Sequence, residues 1–345
     1  MEGCGTYNAL IGGCTDPPGG VTQGTAYLWQ SSDLQDWAFV GPIWSGGPGP
    51  FWELPYLLPF DASGEPAPAE TADRWALLFG HGNAVWVGAY NRSTHQFSPG
   101  GGVADDGSAP APQISDPGSY YSFNAAMTDD AGLRGRPRRL MFGWVTGGSK
   151  QPYWEAQAHS LLREVTLAPS AARLVQQPAP EVELLRTAHL LSDSTPRRIA
   201  PGSTGHVAAH AFGASLEVRA TFALPEDAAA ANANASAFGV LVRGGTADGA
   251  ERVRFEVGSR EVTSGGLSGA EKRTTTTLPP GSNVTLRIFV DRSVCEVFCG
   301  GAAITARLFP KEPLNATAVD VFAEGTPAQL LALDIYAMGS MWAPR

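Results

Sequence analysis

Val284, Leu286, Ile288 and Val290 fall on one parity, Thr285 and Arg287 on the other, and the run closes on Asp291-Arg292-Ser293 before a second apolar run at 294–299. A period of two sustained over seven residues belongs to a strand with one buried face, and the turn triplet makes the pair a hairpin. Helix is excluded here, because helical apolar positions recur at three and four. Similar runs fill the C-terminal part at 216–224, 238–243, 252–257, 303–309, 318–322 and 330–337. Together they predict a β-sandwich. The alanine-rich 226–237 inside it has helical composition, but Asn232, Asn234 and the flanking strands favour a loop.

The N-terminal part has shorter strand-like runs, at 7–12, 24–30, 75–80, 84–90, 120–127, 139–145 and 159–167, separated by turn clusters such as Asp16-Pro17-Pro18-Gly19-Gly20. Short strands at this spacing suit a propeller, barrel or sandwich. With 41 glycines, 27 prolines and only 17% charged residues, the chain is turn-rich and all-β rather than helical. At 345 residues it exceeds one ordinary core. The composition shifts near Gln176, which divides it into a first domain over 1–176, a linker over 177–201 and a sandwich over 202–345.

A net charge of -9 without any basic run argues against nucleic acid as a partner, and no apolar stretch is long enough to span a bilayer. Met1 to Thr6 lacks the basic and apolar regions of a signal peptide, so nothing in the sequence as written exports the chain. Four glycosylation acceptors, beginning at Asn91, Asn234, Asn283 and Asn315, nevertheless lean toward an extracellular or vacuolar location. Cys4 and Cys14 are close enough to close a small disulfide loop. Cys295 and Cys299 sit about 13 Å apart on one strand face, too far to bridge, and read as core residues. His206 and His210 lie among glycine and proline and do not form a helical metal pair. No cofactor or metal is expected.

One stretch sets a single carboxylate in a proline-stiffened apolar run: Pro50-Phe51-Trp52-Glu53-Leu54-Pro55-Tyr56-Leu57-Leu58-Pro59-Phe60. The prolines exclude helix and predict a short edge strand. Extended, Glu53 points away from Trp52 and Leu54. A carboxyl held among apolar neighbours has its charged form disfavoured, which suits a general acid. The competing structural role is a strand-end glutamate facing water.

These residues resemble glycoside hydrolase family 32, the invertases and fructan hydrolases. Trp52-Glu53-Leu54-Pro55-Tyr56 is similar to the family's Trp-Glu-Cys-Pro-Asp motif, and Asp116-Pro117-Gly118-Ser119-Tyr120-Tyr121 to its Asp-x-Gly and paired-aromatic signature. Phe142-Gly143-Trp144-Val145, Arg163 to Leu167, Val290 to Phe298 and Thr305 to Pro310 match further family strands in order. The resemblance implies a five-bladed β-propeller, here with roughly three to four blades, followed by the sandwich. It also implies a retaining mechanism in which Glu53 is the acid/base, with Trp52, Asp116 and Tyr121 binding substrate. Trp75, Trp86 and Trp144 are expected in blade cores.

Such a mechanism needs two carboxylates about 5 Å apart. The family places its nucleophilic Asp in an Asn-Asp-Pro motif and a stabilising Asp in an Arg-Asp-Pro motif, and neither occurs in this sequence. Asp16 reads as a turn residue. The expectation is a chain beginning inside the second blade, with little activity alone and open propeller edges that allow self-association. The partner class is a sucrose or fructan-type carbohydrate. A catalytically silent carbohydrate-binding or accessory protein is the alternative, because Leu54 and Tyr56 replace the family's Cys and Asp. A longer product that carries the missing residues is the third reading.

Overall fold

The computed structural model describes residues 5–16, 20, 22–46, 49–100, 110–128, 135, 137–147, 157–169, 172–202, 204–206, 213–224, 236–247, 249–279, 281–311 and 315–342. Cys4, Asn234, His210 and most of the alanine-rich 226–237 lie outside them, as does the His206 side chain. The architecture is all-β, as the alternation required. Among the described residues, helix is confined to the 3-10 segments His81–Asn83 and Pro180–Leu185.

The chain divides into two units. The first comprises Met1–Ser115, Tyr121–Met141 and Val165–Leu174; the second comprises Asp116–Tyr120, Phe142–Glu164 and Val175–Arg345. In the first unit, Tyr7–Thr15, Gln23–Ser31 and Ala38–Ser45 form an antiparallel three-stranded sheet. A five-stranded sheet follows, ordered Tyr56–Phe60, Arg74–Phe79, Ala84–Asn91 and Gln96–Pro99, with Gln113–Ile114 also on Ala84–Asn91. Tyr56–Phe60 is an edge strand, which is where Pro59 is tolerated. Leu28, Ile43, Trp52, Leu77, Phe79 and Trp86 belong to the core of this unit. Arg138–Val145 and Arg163–Leu167, each of which belongs in part to either unit, carry a further five-stranded sheet.

The second unit contains the sandwich. One sheet runs Arg186–Asp193, Ala328–Met338, Ser215–Ala223, Val284–Asp291, Val294–Cys299 and Ala302–Arg307, with Arg197–Ile199 also on Ala328–Met338. The other runs Thr204–His206, Ala318–Glu324, Ala237–Thr246, Gly249–Glu256, Glu261–Gly266 and Gly269–Thr275. The alternating residues Val284, Leu286, Ile288 and Val290 all face the shared core, with Cys295 and Cys299 beside them. The connecting Arg292 takes φ 52°, closing the hairpin in two residues.

The stretch 177–201, expected as a linker, carries the 3-10 segment Pro180–Leu185 and two strands that pair with Ala328–Met338. Arg186 lies there, and it grips the fully buried Glu217 through Nε (2.7 Å) and Nη2 (2.9 Å), while Arg287 adds a third contact of 2.6 Å. Burial pushes the Glu217 carboxyl up, but the hydrogen bonds and charges of the two arginines outweigh it and hold the group below the ordinary glutamate range. A fragment starting at Gly202 loses both of these strands and one of these arginines. It is expected to melt on the order of 10 °C below a fragment starting at Gln177. Equal midpoints in a thermal scan would show that the first strand adds nothing to the sandwich.

Candidate active site

Residues 51–55 are not a strand; the chain enters Tyr56–Phe60 only after Pro55. What fixes this approach is Trp52. Its N–H donates to the Gly13 carbonyl (3.1 Å), and its indole is 1% exposed, packed 3.9 Å from the ring of Phe79 and 5.2 Å from Trp44. Gly24 makes that space: a Cβ there would stand 2.2 Å from the indole nitrogen. Expected among the substrate-binding residues, Trp52 is thus placed in the core as the anchor of the segment. Gly24→Ala is expected to lower stability by about 1–3 kcal/mol, as overpacking does. An unchanged melting temperature would mean that the indole can yield.

Directly after Trp52, the half-buried Glu53 accepts a hydrogen bond at Oε2 from the hydroxyl of Tyr121. Two residues in the left-handed region frame this contact: Leu54, φ 49°, follows Glu53, and Ser122, φ 57°, follows Tyr121. Gly80 lies against both. Its N–H donates to the Glu53 carbonyl (2.9 Å), and a Cβ on it would come within 3.2 Å of the Ser122 Cα and 3.4 Å of the Leu54 Cβ. The left-handed turn at Leu54 sends its side chain outward, where it is 47% exposed. The apolar enclosure expected around Glu53 is therefore not what the structure shows; a phenol faces the carboxyl. Hydrogen bonding to Glu53, then burial and the Glu53 charge, push the Tyr121 hydroxyl up to about 12.

Three residues further along, the Tyr56 hydroxyl donates to Asn124 Oδ1 (2.7 Å), and burial raises its pKa. The two contacts keep one register, since Glu53 with Tyr121 and Tyr56 with Asn124 each span 68 positions. Tyr56 also borders a cleft of about 1000 Å³ in the first unit, lined besides by Asn8, Gln30, Trp75, Tyr90 and His95. Polar pairs border this cleft: Gln30 donates to Asn8 (3.0 Å), and Tyr90 bonds His95 (2.9 Å).

Asp116, also expected to bind substrate, belongs to the second unit and is 1% exposed. Its carboxylate accepts from the N–H of Gly118 (2.9 Å), the N–H and hydroxyl of Thr305 (3.0 and 2.7 Å) and Nη2 of Arg163 (3.0 Å). Arg163 is itself fully buried. It donates further to Glu296 (2.8 Å), Thr305 (2.7 Å) and Gln176 (2.8 Å), with its guanidinium 4.3 Å from the centre of the Tyr120 ring. Sequence reasoning assigned no role to Arg163, Glu296 or Thr305. Each lies in a family-like motif, yet nothing in one sequence says that three such motifs meet at one guanidinium.

Other placements agree or differ in simple ways. Asp16 follows the strand Tyr7–Thr15 and accepts a hydrogen bond from Thr22, as a turn residue does. Trp75 and Trp86 are in the core, but Trp144 is 42% exposed. The period of two explains it, because Met141, Gly143 and Val145 take the buried face of their strand. Among the described residues no group of three His, Cys, Asp or Glu is placed to hold a metal.

Two family models match the chain: "Glycosyl hydrolases family 32 N-terminal domain" over residues 5–178 and "Glycosyl hydrolases family 32 C terminal" over 181–337. The insoluble isoenzyme 1 of β-fructofuranosidase from Oryza sativa subsp. indica is 28% identical over 194 residues, covering 53% of this chain and 31% of that one. The extracellular exo-inulinase of Aspergillus awamori is 25% identical over 349 residues, covering 91% of this chain and 60% of that one. The chain thus spans between about a third and three-fifths of these relatives' lengths. The crystal structure of fructan 1-exohydrolase IIa from Cichorium intybus superposes with a TM-score of 0.78 at 21% identity, covering 97% of this chain and 70% of that one. At that identity the likeness is one of fold, a β-propeller followed by a β-sandwich. With family models matched over nearly all of its length, the chain belongs to glycosyl hydrolase family 32.

Proposed function

We propose that this chain is a β-fructofuranosidase-type glycoside hydrolase, acting on sucrose or a fructan by the retaining route, with Glu53 as the acid/base. The observation that carries the reading is the Glu53 carboxyl held by the Tyr121 hydroxyl within the family motif. In the first half-reaction Glu53 gives its proton to the leaving glycosidic oxygen; in the second it takes one from water. The cleft beside Tyr56 is roomy enough for a small saccharide and offers amide, phenol and imidazole groups to sugar hydroxyls. The 345 residues contain no Asn-Asp-Pro run, so the assignment covers the proton-transfer half of the chemistry and leaves attack on the anomeric carbon to a group outside the motifs matched.

Release of fructose from sucrose, inulin and levan, measured for the wild type and Glu53→Gln, tests the reading. Turnover that survives Glu53→Gln sinks it. Binding of a saccharide without turnover, even when an external nucleophile is supplied, favours the second reading, a carbohydrate-binding protein. That reading has one observation of its own: the Tyr56 hydroxyl, standing where the family has an acid, is committed to Asn124. Location outside the cytosol is part of the proposal. It is supported by the exposed Asn91, Asn283 and Asn315 of three acceptor triplets and by the relative named as an extracellular exo-inulinase.

A further inference from the structure

Tyr121 invites a role other than sugar binding. A tyrosine that merely lined a cleft would not require a left-handed residue after it, nor a second one after the residue it touches. Leu54 and Ser122 are both non-glycine residues with positive φ, and left-handed backbone at ordinary residues carries strain that the surrounding structure must over-determine. Here both turns pack on Gly80, which has no side chain to intervene and which ties the Glu53 carbonyl down through its own N–H. These turns frame the contact from the Tyr121 hydroxyl to Glu53 Oε2.

We propose that Tyr121 is the positioning residue of the acid/base: its hydroxyl fixes Oε2 of Glu53, so that Oε1 is the oxygen that delivers the proton to the glycosidic oxygen. This rests on the reading of Glu53 as acid/base. The hydroxyl donates to Oε2 both when the carboxyl is ionised and when it carries its proton on Oε1, so it holds the group in place through both half-reactions. During glycosidic cleavage the Oε1–H bond breaks, the proton joins the leaving oxygen, and that oxygen takes the electron pair of the broken C–O bond. Tyr121 keeps its own proton throughout, in line with the raised value of its hydroxyl.

Two measurements on the whole chain test the proposal. The first needs no turnover: with ring-labelled tyrosine, NMR titration from pH 8 to 11 is expected to show one resonance, absent in Tyr121→Phe, that hardly moves in the wild type. In Glu53→Gln that resonance titrates near the ordinary tyrosine value. If it is unaltered by Glu53→Gln, the contact is absent in solution and the proposal falls, whatever the activity. The second compares sucrose, whose leaving group needs a proton, with β-fructofuranosyl fluoride, whose leaving group does not, each with azide supplied as nucleophile. Tyr121→Phe is expected to slow sucrose about tenfold or more in kcat, to leave KM within about twofold, and to leave the fluoride rate within about twofold. Equal losses on both donors would mean general damage to the site and overturn the positioning role. An intact titration effect with no cleavage of either donor would instead sink the fructosidase reading, and the positioning role with it.

Discussion

Adding azide is expected to accelerate sucrose cleavage by this chain, with fructosyl azide as product, and Glu53→Gln is expected to remove about 10²- to 10⁴-fold of that rate. In the proposed reading Glu53 is the acid/base, and a general acid alone contributes about that factor. A small anion can stand in for the attacking carboxylate: its terminal nitrogen bonds the anomeric carbon as the C–O bond breaks, and Glu53 protonates the departing oxygen. Glutamine fills the same space and cannot give that proton. On β-fructofuranosyl fluoride, which leaves unaided, the same substitution is expected to change the azide rate by no more than about threefold. Two results would refute the assignment. One is an azide-dependent rate on sucrose that is indifferent to Glu53→Gln. The other is brisk hydrolysis without azide that survives the substitution.

Much of the fold was legible because period-two alternation is a direct image of burial. Val284 to Val290 could be assigned to a core face, and Cys295 and Cys299 to the same core, without any partner being known. Glu53 could be singled out for a different reason: a lone carboxyl in a proline-stiffened apolar run is chemically conspicuous. What the sequence concealed were relations between distant positions. Tyr121 could be singled out, but not as the donor to a carboxylate 68 residues earlier, since that contact depends on two left-handed residues that no propensity would place at Leu54 and Ser122. Asp116 misled because an Asp before Pro-Gly suits a turn or a pocket equally well, whereas its carboxylate is consumed by Arg163 and Thr305, the latter 189 positions away. The segment 177–201 misled by composition, as its prolines hide a strand that completes the sandwich sheet.

Arg163→Met is expected to be the most destabilising single change in the second unit, by about 3–5 kcal/mol. The side chain it removes is fully buried, and it is the shared cation of two buried carboxylates, Asp116 at 3.0 Å and Glu296 at 2.8 Å. Burial pulls the guanidinium down, but its electrostatic interactions with Asp116, Tyr120 and Glu296 outweigh it and hold the group above the ordinary arginine value, so it stays charged at any working pH. Glu296 behaves oppositely to Glu217. Where two arginines bring Glu217 below its ordinary range, burial of Glu296 outweighs its single shared arginine and leaves it raised. A carboxyl raised in the folded state contributes stability that is fully present below its unfolded value and is lost as pH rises through its folded value. Removing Arg163 takes away the main influence holding Glu296 down, which enlarges that loss at neutral pH. The deficit of Arg163→Met should therefore be largest near pH 8 and shrink toward pH 5, as Glu296 takes up a proton. Adding Glu296→Gln and Asp116→Asn to Arg163→Met removes both stranded charges and is expected to recover more than half of the lost stability at pH 8. Thermal unfolding of the three proteins at the two pH values decides it. A deficit that grew on acidification, or a triple variant no more stable than Arg163→Met, would show that Arg163 contributes through packing on Tyr120 and Phe298 and not as the counter-charge of the buried acids.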